Sequence, residues 1–176
     1  MSEALASPVV LDATVLSNFA NSDSVEFLTT TLANPHTVPA VRTELEQGVA
    51  AGYRYLDAAL DIIDSGDIGM ADNVPDILAE EYDTIQTRLD AGEAEALVAA
   101  HTAGGTLATD DGAARSIAGD YDVSLTGSIG LLVRGVVLGA VSIDTADEWL
   151  TTWVEERNYY APVDTVTEAL PDGYEQ

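Results

Sequence analysis

The 176 residues carry 31 acidic against 6 basic side chains, a formal charge of −25, with no lysine and no cysteine; this excludes disulfides, thiolate zinc sites and a cysteine nucleophile. Apolar residues make up 47%, no run approaches the ~20 needed to cross a bilayer, and no basic-then-apolar leader opens the chain, so a soluble cytoplasmic protein with no membrane partner is expected. The acids are dispersed rather than run together, which disfavours a mimic of nucleic acid and resembles proteins of salt-accumulating halophiles, since in molar salt a screening length of about 3 Å removes the self-repulsion.

Pro8 to Leu11 is a run of β-type residues ending at Asp12, and Ala13 to Phe19 then starts a helix. A strand feeding straight into an acid and a helix opens a parallel βα unit. A helix over 24–32, a short strand at Thr37-Val38 and a helix entered at Pro39 follow. Val41, Leu45 and Val49 recur there at helical spacing, and Glu44 lies in the first two turns. Residues 52–63 read as a helix, Ser65-Gly66-Asp67 as its stop and 68–71 as an edge strand. Pro75 begins one further helix, with Ile77, Leu78, Tyr82, Ile85 and Leu89 apolar.

The stretch from Gly92 to Arg115 organises the rest. It predicts a helix over 92–102 stopped by Gly104-Gly105, a buried strand over 106–109, and the Asp110-Asp111 pair opening a helix through Ala118. A strand over 121–125, an apolar helix ending near Gly139 and two amphipathic segments, 145–156 and 163–170, complete the chain. The alternation predicts an α/β three-layer sandwich with a mainly parallel central sheet. It is read as one domain over 1–176, with its core about 8–140 and a helical extension about 141–176.

In such folds sites lie at the carboxyl ends of the strands. Asp12, Asp110 and Asp111 each end a β run, while Glu44, Glu93 and Glu95 sit near helix starts. Each acid alone is explained by capping or the helix dipole. Together, carboxylates crowded at one edge raise one another's pKa unless a cation neutralises them. Magnesium or manganese suits oxygen donors, and such ions activate a water for in-line displacement at phosphorus. The expected ligands are Asp12, Glu44, Glu95, Asp110 and Asp111.

The segments LDATVLSN, VPAVRTEL, GEAEALVAA, LATDDGAAR and LTGSIGLLVRG occur in the order seen in PIN-domain ribonucleases. They look most like the prokaryotic branch that carries GEAEA and a doubled aspartate, over about Val9 to Val163. The resemblance implies Asp12, Glu44, Glu95 and Asp111 as the catalytic acids, with Asp110 beside them. It gives Thr14, which would hold a metal-bound water, and Thr109, which opens the T-x-D pattern, supporting roles. Glu93 and Glu46 are read as solvated helix acids or outer partners of the site. The implied activity is a metal-dependent endoribonuclease acting on RNA, as the toxin of a toxin–antitoxin pair and a homodimer. The alternative is a PIN-like module that binds RNA or a protein without cutting.

Arg115, one turn into its helix, is positioned for a phosphate or, more fittingly, for an orienting ion pair with the acids. Thr126 and Ser128 precede a helix N-terminus, where anions bind and where plain capping is equally at home. His36 and His101 lack a partner pattern. Trp149, Trp153, Tyr159 and Tyr160 are read as core or an oligomer contact ahead of a base-stacking surface. The absence of lysine disfavours a response-regulator receiver and a dehalogenase-type phosphatase, and no G-x-G-x-x-G follows the first strand.

Overall fold

The computed structural model describes residues 4–174, the side chains of Glu80 and Glu81 excepted. Five parallel strands form one sheet: β1 (Val9–Leu11), β2 (Pro35–Thr37), β3 (Gly69–Met70), β4 (Thr106–Ala108) and β5 (Ser124–Thr126), in the order β3-β2-β1-β4-β5. Helices flank it: α1 (Ala13–Asn21), α2 (Val25–Thr31), α3 (Pro39–Ala50), α4 (Asp57–Ser65), α5 (Val74–Glu81), α6 (Asp83–Arg88), α7 (Ala91–Ala103), α8 (Gly112–Asp120), α9 (Ser128–Val137) and α10 (Ile143–Arg157). Every residue of β1 and β4 is buried, as expected for central strands of a parallel sheet covered on both faces.

The strand order reverses between β1 and β4. The chain builds outward from β1 through β2 and β3, then returns to the other side of β1, leaving a switch point where open α/β sheets place their crevices. Register aligns the strand ends there: Leu11 pairs with Ala108, and Ala108 with Thr126. The Asp12 amide donates to the Ala108 carbonyl at 3.1 Å, and the Thr109 amide to that of Thr126 at 3.0 Å. Asp12, Thr109 and the start of α9 are therefore neighbours by construction.

Several elements depart from the sequence reading. The single helix expected from Pro75 is two, broken at Tyr82, whose hydroxyl meets His101 Nδ1 at 2.8 Å and whose ring packs against Tyr121. Strand β2 starts two residues early, because Val38 is already the extended cap of α3. Strand β5 starts late, because Tyr121 caps α8 and Asp122 turns the chain at φ 55°. The 52–63 helix opens as a 3-10 turn at Arg54–Leu56, and 163–170 forms only a 3-10 turn at Val166–Ala169.

Helix α10 packs against the core. Trp153 is fully buried, stacks edge-on against Phe19 at 5.0 Å, and donates its indole N–H to Ser22 Oγ at 3.0 Å. Among the described residues no helix is long and apolar enough to cross a membrane.

Candidate active site

Asp12 ends β1 and caps α1, accepting the Val15 amide on Oδ1 at 3.0 Å, and it is only 2% exposed. Its other oxygen accepts a hydrogen bond from the hydroxyl of Thr109, a fully buried residue at the end of β4. Thr109 Oγ1 also accepts the Asp111 amide at 3.2 Å, so one threonine ties the acid of the first strand to that of the fourth. Burial pushes the Asp12 carboxyl up to about 7; the bonds from Thr109 and Val15 oppose this, and the charges of Asp110 and Glu93 add to it.

Asp111 caps α8 through the Ala114 amide at 2.8 Å. Glu93 forms a reciprocal capping box with Asp90 at the start of α7: its amide donates to Asp90 Oδ1 at 2.8 Å, and the Asp90 amide donates to Glu93 Oε2 at 3.3 Å. Loss of hydration pushes Glu93 up to about 7, and the charges of Asp90, Asp111 and Glu44 raise it further. Glu44 is raised by shielding from water and then by Asp90. Gly92 permits this approach, since a Cβ there would stand 3.1 Å from Glu44 Oε1 and 3.7 Å from Asp90 Oδ1. Glu93 thus lies within electrostatic reach of Asp12, Glu44 and Asp111, which come from separate elements.

The five acids expected as one ligand set part company here. Asp110 sits in a cradle of donors, accepting the Ser128 amide at 2.9 Å, the Ser128 hydroxyl at 2.5 Å, the Tyr159 hydroxyl at 3.3 Å and the Asn18 amide at 3.5 Å, while its charge still raises Asp12. Glu95 is buried and accepts the Ala40 amide at the start of α3 at 3.3 Å. Its pKa is raised by burial and held back by that bond. Two residues apart on a helix, Glu93 and Glu95 point to different faces. Among the described residues no three acids close on one point as a finished ligand shell. The donors of the Asp12–Glu93 group nevertheless fit a hard divalent cation in kind: all are carboxylate oxygens, and a cation would offset the burial and, after it, the neighbouring charge that raise two of them to about 7.

The supporting residues also sort themselves. Thr14 is exposed on the first turn of α1, beside the strand ends. Arg115 makes no ion pair with the acids; its Nη1 donates to the carbonyls of Thr109 at 2.8 Å and Thr126 at 3.2 Å, lacing β4 to β5. Ser128 is fully buried and engaged by Asp110, so it braces that acid from inside. Thr126 contributes its carbonyl to Arg115. Glu46 pairs with Arg42 at 3.2 Å. His36 stands against Gly69, and His101 is held by Tyr82.

Four residues of this network are not among the expected site residues; the sequence reads Tyr159 as core or an oligomer contact. Asn18, 1% exposed, donates to Ser128 Oγ at 3.0 Å and accepts from Arg157 Nε at 2.9 Å. Arg157 Nη1 donates to the Tyr55 hydroxyl at 2.6 Å, and Tyr159 reaches Asp110. Burial, then the charge of Asp110, pushes the Tyr159 hydroxyl well above the usual range. Asp90 is the fourth; Asp90-x-x-Glu93 is a capping signature that would have singled out Glu93 as the residue turned back toward the strand ends.

The sequence profile of the PIN domain matches residues 8–172, nearly the whole chain. The chain belongs to the PIN-domain family. PIN domains are generally nucleases and typically use divalent metal ions, in keeping with acids gathered at strand ends. No curated protein matches the sequence. In this PIN domain a cleft of about 790 Å³ opens at the strand ends, with Asp110, Asp111, Asn18, Arg115, Arg157 and Tyr160 among its lining residues.

Proposed function

We propose that this PIN domain is a metal-dependent endoribonuclease that hydrolyses RNA phosphodiester bonds, with Asp12, Glu44, Glu93 and Asp111 around Mg²⁺ or Mn²⁺. The single observation that carries this reading is the place of Glu93 on α7: acids at the end of β1, on α3 and after β4 lie within its electrostatic reach, at the switch point of the sheet. When bound, the metal supplies a water activated for attack and neutralises charge on the phosphate. The protein's part is positional. Thr109 holds Asp12 and the Asp111 amide in register, and the capping box aims Glu93 out of α7. Asp110, braced by Ser128, Asn18 and Tyr159, stiffens the segment that carries Asp111. Glu95, expected among the catalytic acids, fixes the start of the helix bearing Glu44.

Cleavage of RNA in molar KCl is the test, with Mn²⁺, without it, and with EDTA. Activity should require the metal and disappear in Asp12→Asn and Asp111→Asn while the fold survives; activity unchanged in both variants would place the chemistry elsewhere. A second reading, a PIN module that binds RNA or a protein without cutting, is favoured by the openness of the acid group; bound but intact RNA with Mn²⁺ present would establish it. We further propose a halophilic cytoplasmic setting, from the charge of −25, and a homodimeric toxin countered by an antitoxin protein. A small reading frame abutting the gene, whose product suppresses cleavage, would support the toxin role.

A further inference from the structure

Asn18 and Ser128 are 1% and 0% exposed, and together they bridge the end of α10 to the Asp110–Asp111 turn. Polar groups buried this deeply are held by partners whose donor and acceptor roles match. Arg157, the last residue of α10, places Nε 2.9 Å from Asn18 Oδ1. A guanidinium offers donors alone, so the Asn18 atom facing it is the amide oxygen and the NH₂ group is turned inward. That group lies 3.0 Å from Ser128 Oγ and 3.5 Å from Asp110 Oδ2. With a donor already directed into Oγ, the single hydroxyl proton of Ser128 goes to Asp110 Oδ2 at 2.5 Å.

Every bond in this series therefore runs one way, from Arg157 to Asn18, from Asn18 to Ser128 and from Ser128 to Asp110. The direction is fixed at both ends, by a cation that cannot accept and a carboxylate that cannot donate. Turning the Asn18 amide over would set NH₂ against the guanidinium and an oxygen against Asp110, two unfavourable contacts from one rotation. Arg115 also stands near Asp110, since a Cβ on Gly127 would meet both, but its Nη1 is engaged by the carbonyls of Thr109 and Thr126. The next residue, Asp111, is tied through its amide to Thr109 Oγ1 at 3.2 Å.

We propose that Arg157 is a positioning residue for the strand-end acids: acting through Asn18 and Ser128, it sets the orientation of the Asp110 carboxylate and hence of the turn that presents Asp111. Its second arm is separable. Nη1 donates to the Tyr55 hydroxyl at 2.6 Å, fastening the end of α10 to the 3-10 turn before α4. The consequence for a bound cation rests on the reading of Asp111 as a metal ligand; the relay itself does not.

The test joins nuclear magnetic resonance of the metal-free protein with Mn²⁺ binding read by electron paramagnetic resonance, both in molar KCl. Arg157→Met, at a half-buried position, keeps the stem and removes the donors. It should speed water exchange of the Asn18 side-chain amide protons roughly tenfold, as loss of one charge-assisted bond implies, and abolish the slowly exchanging Ser128 hydroxyl resonance. Arg157→Lys, which keeps a cationic donor, should restore both signals, and Tyr55→Phe, which cuts only the other arm, should leave both in place. Removing a cation would by charge alone tighten the hold on a divalent ion. Loss of the relay should instead weaken Mn²⁺ binding roughly tenfold, with recovery in Arg157→Lys. Asn18 protons indifferent to Arg157→Met, equal disturbance by Tyr55→Phe, or Mn²⁺ held as tightly or more tightly by Arg157→Met would overturn the proposal. Native protein that binds no Mn²⁺ while the Asn18 and Ser128 signals respond as expected would instead overturn the cation reading and leave the relay standing.

Discussion

Asp110 and Asp111 are adjacent in the chain and live in opposite surroundings. Asp110 is enclosed by donors: the amide and hydroxyl of Ser128, the amide of Asn18 and the hydroxyl of Tyr159. Asp111 caps α8 through the Ala114 amide and adds its charge to Glu93, which also feels Glu44 and in turn raises Asp12. One carboxylate is held by four hydrogen bonds within the fold, and the other, on the reading proposed above, faces a cation. Hydrogen-bond partners, not acidity, decide which carboxylate serves the fold and which is left for chemistry.

The comparison breaks most visibly at Asp110. Asp110→Ala strips the buried Ser128 amide and hydroxyl of their acceptor, and should cost about 3 kcal/mol in denaturant unfolding. Asp111→Ala loses a helix cap, about 1 kcal/mol, while Mn²⁺-dependent cleavage should fall more than about a hundredfold. If both variants lose stability equally, the two environments are not distinct.

Acidity gives the next effect. Asp12 and Glu93 have folded pKa values near 7, above those of an unfolded chain, so between about pH 4 and pH 7 the native state binds more protons than the unfolded state. Metal-free protein should therefore lose stability as pH rises through that window, by on the order of a few kcal/mol, and level off above it. Asp12→Asn keeps an acceptor for the Val15 amide and turns a donor toward the Thr109 hydroxyl oxygen without the charge, and should flatten the slope and raise the metal-free Tm by several degrees. Calorimetry across pH 4 to 8 checks the direction; stability rising with pH would remove the crowded-acid picture.

Glu95 gives the smallest change. Glu95→Gln retains an acceptor for the Ala40 amide and should alter stability by less than about 1 kcal/mol, with cleavage within a few fold of the native enzyme. Glu93→Gln should remove cleavage. The reverse result would restore Glu95 to the place that family resemblance suggests.

Much of this was legible in the sequence for local reasons. A β-type run stopping at Asp12, Pro39 at a helix start, Gly104 after an apolar helix and Asp111 ahead of another are each signals a few residues long, and each marks an element boundary in the structure. What spacing could not convey was which way an acid faces. The pair Glu93 and Glu95 differs by two residues, hence by opposite sides of α7. The pair Asp110 and Asp111 differs by one residue at a strand end, where α9 and the segment after α10 claim the first. Asn18 and Arg157 are joined across 139 positions, a pairing no local pattern contains. Gly127 belongs to the same lesson: a Cβ there would lie 2.7 Å from Asp110 Oδ1 and 3.2 Å from Arg115 Nη1.

The central claim, that the group around Glu93 is a cation site, is met most directly by a thermal-shift titration with Mn²⁺ at pH 7.5 in molar KCl, comparing native protein, Glu93→Gln and Glu95→Gln. At about a hundredfold excess over Kd the ion should stabilise the native protein by ~2.7 kcal/mol, a rise of several degrees in Tm. The same rise should appear in Glu95→Gln and vanish in Glu93→Gln. A Tm indifferent to Mn²⁺, or a shift that survives Glu93→Gln, would contradict the account.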